Sequence, residues 1–304
     1  MASIYNISQP RVIYDRGDHI VFHDEGRKAI YKCGKTGLKI YEPLTLIFIN
    51  DSTNIPVPKV RSIQYKDGRE INVRYDKAGK SVNIHYENDK VFEVKHDEDG
   101  GSTKIHYEND NVVRIIMDFV EGDALSEVWE GLNDGQKEVL AEDLKKYVSE
   151  LRELKGKKIE ALNGGPTRLI TGYQNVEEEW PFESEERFNQ FRKIQGIDTR
   201  MHASQDDDLS RTDNSSQEED ARPERDEIVF THGDLVPKNI LVNDKGSVTA
   251  IVDWEFAGYY PKYWEHSRAS RDTTMGWKDF LLRVFPNKDD WGFIETQSLT
   301  FRRR

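Results

Sequence analysis

The sequence predicts an α+β chain of two lobes, β-rich to about residue 120 and mainly helical beyond it. Three observations predict this. Apolar and polar residues alternate with period two across 11–32 and again across 60–119, whereas from Leu125 the apolar positions recur every three or four residues. The 304 residues are enough for two lobes around a cleft. Thirteen Phe, thirteen Tyr and six Trp supply core material for both.

In the first lobe the pairs Val12/Tyr14, Ile20/Phe22 and Ile30/Lys32 mark two or three short strands. They are broken by turns at Arg16-Gly17-Asp18 and Asp24-Glu25-Gly26. Residues 44–50 read as a short helix, stopped by Pro56 and Pro58, which force an extended crossing. The meander over 60–119 carries an internal repeat: Ile84-His85-Tyr86-Glu87-Asn88-Asp89 returns as Ile105-His106-Tyr107-Glu108-Asn109-Asp110. Asn-Asp suits a two-residue hairpin turn, so the repeat reads as a duplicated hairpin within an insert at about 62–113. Such an insert is either a solvated extension or an edge for a protein partner or self-association.

In the second lobe Val139, Leu140, Leu144, Val148 and Leu151 outline a long helix that ends near Lys155-Gly156. Phe182, Phe188, Phe191 and Ile194 outline another over 182–196. Residues 203–227 hold ten carboxylates and three arginines, with Leu209 the sole large apolar residue. A stretch of that kind buries too little to offset its ordering entropy and reads as a disordered acidic loop, within about 200–227.

Composition excludes several functions. Fifty-six acidic against forty-four basic residues give a net charge of −12, unsuited to general binding of nucleic acid or an anionic membrane. Cys33 is the single cysteine, so neither an intramolecular disulfide nor a multi-thiolate metal site can form. Met1 to Gln9 lacks an apolar targeting core and no apolar run could span a bilayer, from which a cytoplasmic protein is expected.

The chemistry concentrates in Thr231-His232-Gly233-Asp234-Leu235-Val236-Pro237-Lys238-Asn239-Ile240-Leu241-Val242, followed by Ile251-Val252-Asp253-Trp254-Glu255. A strand delivers Asp234, and a hairpin turning at Asn243-Asp244-Lys245-Gly246 brings Asn239 and Asp253 to its open end. Two carboxylates and an amide oxygen, with no thiolate, form a hard-oxygen site of the kind magnesium prefers alongside phosphate oxygens. The carboxylate not needed by the metal, Asp234, can take a proton from an attacking hydroxyl.

These segments resemble the catalytic and metal-binding loops of the aminoglycoside phosphotransferase and choline kinase-like family, small-molecule kinases with a protein-kinase-like fold. The likeness extends to Ile55-Pro56-Val57-Pro58, Gly164-Gly165-Pro166, Trp180-Pro181-Phe182 and Trp254-Glu255-Phe256-Ala257-Gly258, and is greatest to the fungal branch. The resemblance implies Asp234 as catalytic base, Asn239 and Asp253 as Mg2+ ligands, and Lys32 on the ATP phosphates with Glu42 orienting it. It implies Met117, Asp118, Phe119 and Val120 as the hinge that meets adenine, with His232 bracing the loop. Its reaction is transfer of the γ-phosphoryl group of ATP to a hydroxyl or amine of a small molecule. A cationic acceptor would suit Glu183, Glu185 and Glu186, set against a plain solvated helix face.

Three departures stand beside the resemblance. No G-x-G-x-x-G is present. Pro43 directly after Glu42 puts that glutamate at the very start of its helix, near N-cap or N1. Val236 stands where protein kinases carry a phosphate-contacting lysine, and Lys238, two positions on, reads as solvated. With fifty-one residues after Asp253 and Gly233 in place of an arginine, a small acceptor is favoured over a protein substrate. A catalytically silent nucleotide-binding or interaction protein on the same fold is the alternative.

Overall fold

The computed structural model describes residues 10–291, except 16, 18, 88–89, 97–101, 107–111, 172–174, 180, 195–226 and 288–289. The acidic stretch at 203–226 therefore lies outside the described residues.

The first lobe is built on a six-stranded antiparallel sheet. Its strands are β1 (Arg11–Asp15), β2 (His19–Asp24), β3 (Ala29–Leu38), β4 (Val60–Tyr65) and β5 (Glu70–Asn72), with β9 (Val112–Asp118) at the centre. Their order is β1-β2-β3-β9-β4-β5. Val60 and Ile63 on β4, and Val112, Ile115 and Met117 on β9, are buried in one core. The spacing of three in each strand breaks strict alternation, and the β4–β9 register shifts between Val60 and Ser62 and between Gln64 and Tyr65.

Helix α1 (Tyr41–Ser52) runs between β3 and β4 and is buried on nearly every side, since sheet and second lobe enclose it. It starts three residues earlier than the sequence reading placed it. Ile40 is the N-cap, so Glu42 is the second helical residue and Pro43 the third. Proline fits the first turn because that amide has no intrahelical partner.

The insert also differs from the expectation. Strands β6 (Ile84–Glu87), β7 (Lys90–His96) and β8 (Ser102–His106) form a separate three-stranded sheet with β7 in the middle. The two repeated segments supply its outer strands, with His85 opposite Phe92 and Phe92 opposite His106. They do not make two hairpins, because β8 turns back onto β7 and not onto β9.

In the second part, β10 (Asp123–Ala124) and α2 (Leu125–Val128) lead into the long α3 (Asp134–Glu153). Asn133 and Gln136 close a reciprocal capping box at its start. Leu140, Leu144, Tyr147, Val148 and Leu151 form its buried stripe, whereas Val139, one of the residues that signalled the helix, is 41% exposed. Next come β11 (Glu160–Ala161), the hairpin β12 (Thr167–Thr171) and β13 (Asn175–Glu179), and α4 (Glu185–Ile194).

The last elements are β14 (Ile228–Thr231), β15 (Ile240–Val242), β16 (Val248–Ile251), β17 (Gly258–Pro261), α5 (Trp264–Ala269) and α6 (Trp277–Val284). β15 joins β10 and β16, and β14 pairs with β17, which also pairs with β11. The whole is α+β, with the sheet lobe packed on the more helical one through α1 and the turn at Trp254–Phe256. Among the described residues no helix is long and apolar enough to cross a membrane.

Candidate active site

β14 is a buried strand, and where it ends the chain turns through Gly233 at φ +77. A Cβ there would lie 2.5 Å from the carbonyl oxygen of Phe256, so glycine is needed for both the conformation and the approach. The turn delivers Asp234, 6% exposed.

Asn239 sits at the end of a single 3-10 turn, Pro237–Asn239, and its Nδ2 donates to the Asp234 backbone oxygen and to Asp234 Oδ2, both at 2.9 Å. The same carboxylate oxygen lies 3.1 Å from Lys238 Nζ, whose side chain is half-exposed. The solvated role expected for Lys238 is thereby corrected: it contacts the candidate base.

The β15–β16 hairpin sets the second half. Ile240 pairs with Ile251, and the Val252 N–H donates to the Asn239 oxygen at 2.9 Å, so Asn239 and Asp253 leave the hairpin side by side. Asp253 is left-handed, at φ 64 and ψ 57, a conformation aspartate tolerates better than most side chains. Its Oδ1 accepts from Lys32 Nζ at 2.9 Å. Lys32 also donates to both oxygens of Glu42, at 2.9 and 2.8 Å. A start to α1 at Tyr41 thus puts Glu42 in reach of Lys32 despite Pro43.

Burial by itself would strip the proton from Lys32, but the carboxylates of Asp253 and Glu42 outweigh it and raise the ammonium above its ordinary value. Asp253 is partly buried, which raises its carboxyl, yet Lys32 outweighs this and holds it down to about 2. For Glu42 burial prevails over Lys32 and pushes the carboxyl up to about 7.

Beneath the loop lies a second polar cluster, of which the resemblance implied His232 alone. His232 is fully buried; its Nδ1 accepts from the Asp234 N–H at 3.2 Å, which leaves Nε2–H to donate to the Val252 oxygen at 3.0 Å. Burial lowers its pKa and keeps it neutral. Glu265, on α5, accepts from the backbone N–H groups of His232 (2.5 Å) and Gly233 (3.1 Å). Arg268, one turn on, donates to the Gly233 oxygen at 3.1 Å. Burial pushes Glu265 up to about 7 against those two N–H donors. Glu255, two residues past Asp253, pairs with Arg168 at 3.1 Å and adds its charge to the surroundings of Lys32.

At the hinge, Asp118 N–H donates to the Lys59 oxygen and Phe119 N–H to the Lys28 oxygen, so two of the four amides expected to meet adenine are spent within the sheet. Glu183, Glu185 and Glu186 are taken up locally: Glu183 pairs with exposed Lys158 at 2.7 Å, and the other two accept from Asn189 and Gln190 a turn later. Of the two turns that break the first strands, Gly17 has φ +89 and Asp24 caps its own turn by accepting from the Arg27 N–H.

A β-sheet lobe and a helical lobe thus meet at a Lys–Glu–Asp chain with an Asp–Asn pair alongside, an arrangement suited to phosphoryl transfer. Residues 91–291 match the family model described as the phosphotransferase enzyme family, APH. The chain belongs to that family and is a small-molecule phosphotransferase.

Three solved structures illustrate the likeness. A thermostable mutant of aminoglycoside phosphotransferase APH(4)-Ia, in ternary complex with AMP-PNP and hygromycin B, is 13% identical with TM-score 0.46, over 98% of this chain and 78% of that one. The streptomycin-ATP complex of APH(2")-IIa is 11% identical with TM-score 0.49, over 97% and 84%. The GDP complex of wild-type aminoglycoside 2'-phosphotransferase-IIIa is 13% identical with TM-score 0.47, over 94% and 79%. No curated protein matches the chain by sequence.

Proposed function

We propose that the chain moves the γ-phosphoryl group of ATP to a hydroxyl or amine of a small molecule, with Asp234 as the base. The observation that carries this is the convergence of Lys32, Glu42 and Asp253 from three separate segments beside the Asp234–Asn239 pair. Lys32 spends its three N–H bonds on two Glu42 oxygens and one Asp253 oxygen. A phosphate oxygen can take the third, while Glu42 keeps the ammonium aimed. Asp253 is released by that exchange.

The donor set fits magnesium. Asn239 turns its Nδ2 toward Asp234, which leaves its oxygen for a ligand, and Asp253 adds a carboxylate. Among the described residues no three His, Cys, Asp or Glu side chains gather to hold a metal by themselves, as suits an ion completed by phosphate and water. Bound by Asn239 and Asp253, Mg2+ would neutralise phosphate charge. Asp234 is held by Asn239 and Lys238 on one oxygen, Oδ2, and its other oxygen is the one to accept the acceptor's proton. The Val120 N–H and the Asp118 oxygen are the hinge groups to meet adenine, since the Asp118 and Phe119 amides are engaged.

Turnover of MgATP across a panel of amino-alcohols and amino-sugars tests the reading, comparing wild type with Asp234→Asn. Loss of a general base lowers kcat by about 10²–10⁴-fold with MgATP affinity retained. If neither protein turns over any acceptor while both bind ATP, the silent alternative replaces it.

A further inference from the structure

The insert that begins after β5 does not simply project from the sheet. Before it becomes the β6–β8 sheet, the chain folds into a tight turn, with Tyr75 bridged to Ser81 and the Gly79 N–H bonded to the Asp76 oxygen. Asp76 Oδ1 accepts from the Lys80 N–H, and Gly79 takes φ +81, a left-handed conformation that suits glycine. The turn's outer side meets the C-terminal end of α1. Asp51 accepts from both the N–H and the hydroxyl of Ser81. Asn50 Nδ2 donates to the Gly79 oxygen at 2.8 Å. Lys80 Nζ donates to the Asn50 oxygen at 2.6 Å.

The last turn of α1 has no basic residue of its own, so Lys80 supplies the cation that the carbonyl end of the helix favours. Ile84, directly after the turn, is buried in the main core. Further along, the backbone of β7 runs within 8 Å of the Leu162–Gly164 turn, next to Gly165, on which Tyr41 packs. The insert therefore grips one end of α1 and comes back beside the other.

We propose that the 76–81 turn is a clasp that positions Glu42, with Asp51, Lys80 and Ser81 as positioning residues acting through α1. Glu42 lies nine residues from Asp51, about 14 Å along the helix. A helix fixed at that end cannot slide or rotate, so Glu42 stays on Lys32 and competes with Asp253 for it. This inference rests on the proposed roles of Lys32 and Asp253.

A double-mutant cycle on MgATP binding and turnover tests it. Asp51→Ala and Glu42→Gln each weaken MgATP affinity about fivefold, as loss of a charge-assisted hydrogen bond does, and the double variant is no weaker than the worse single. Ser81→Ala is a milder probe that keeps the cycle readable if Asp51→Ala folds poorly, and Lys80→Arg restores what Lys80→Met loses. Additive effects across both cycles overturn the clasp while leaving the phosphotransferase reading intact. A wild type that binds no MgATP overturns that reading and the clasp with it.

Discussion

Two buried polar clusters lie on either side of the catalytic loop, and they are built in opposite ways. His232, Glu265 and Arg268 hold backbone: each is bonded to main-chain groups of the loop or of Val252. Lys32, Glu42 and Asp253 hold one another, across 221 residues of sequence between the lysine and the aspartate. The first cluster spends these hydrogen bonds on main-chain groups. In the second, one ammonium serves two carboxylates, with Glu255 near by. A scaffold satisfies its own hydrogen bonds, whereas a binding centre keeps charge that a ligand must answer.

The comparison breaks most visibly at Lys32. Lys32→Met leaves two buried carboxylates facing each other, and removing one partner of a buried pair costs about 3–5 kcal/mol. Denaturant unfolding will show this loss, and adding Glu42→Gln will recover much of the stability but none of the turnover. A scaffold residue behaves differently. Glu265→Ala leaves two buried N–H donors unpaired, at about 1–3 kcal/mol each, and stability and kcat fall together with no second-site carboxylate to restore them.

A smaller effect separates the clusters by pH. Glu265 is raised from 4.5 to about 7, so the folded chain keeps this proton over a range where the unfolded chain has lost it. Its contribution is whole below 4.5 and disappears as pH rises through 7. Glu265 therefore contributes less stability at pH 7.5 than at pH 5, a slope Glu42 shares and buried His232, lowered in pKa, opposes; Glu265→Gln removes its own part in paired unfolding curves. The smallest effect belongs to the exposed rim. Glu183→Ala breaks a solvent-exposed pair with Lys158 worth about 0–1 kcal/mol, and KM for the acceptor stays unchanged.

What could be read in advance follows from how far apart in sequence the parts lie. Asp234, Asn239 and Asp253 were legible because a single strand–loop–hairpin carries them, and local rules bring such a hairpin's ends together. Lys32 and Glu42 were reached through resemblance, and Pro43 misled the helix start because proline is tolerated through the whole first turn. Glu265 and Arg268 carry no local signature: they reach Gly233 only because α5 packs beneath β14. The clasp was hidden for the same reason, since Asp51 and Ser81 are thirty residues apart and meet through the fold. The repeat was read as paired hairpins because turn chemistry is local, while the choice of β7 as the shared partner is not.

Arg61 has a mechanical consequence. Its guanidinium ties the Arg27 and Lys28 carbonyls to the Asp118 carboxylate, so the β2–β3 corner and the end of β9 move as one piece. Gly122 belongs to the other body, wedged against Thr249 and the Val242 oxygen. Between these two anchors stand Phe119, itself held by its N–H on the Lys28 oxygen, and then Val120 and Glu121. At this crossing the chain between the two held parts is thus a two-residue strip, Val120 and Glu121, with four backbone torsions.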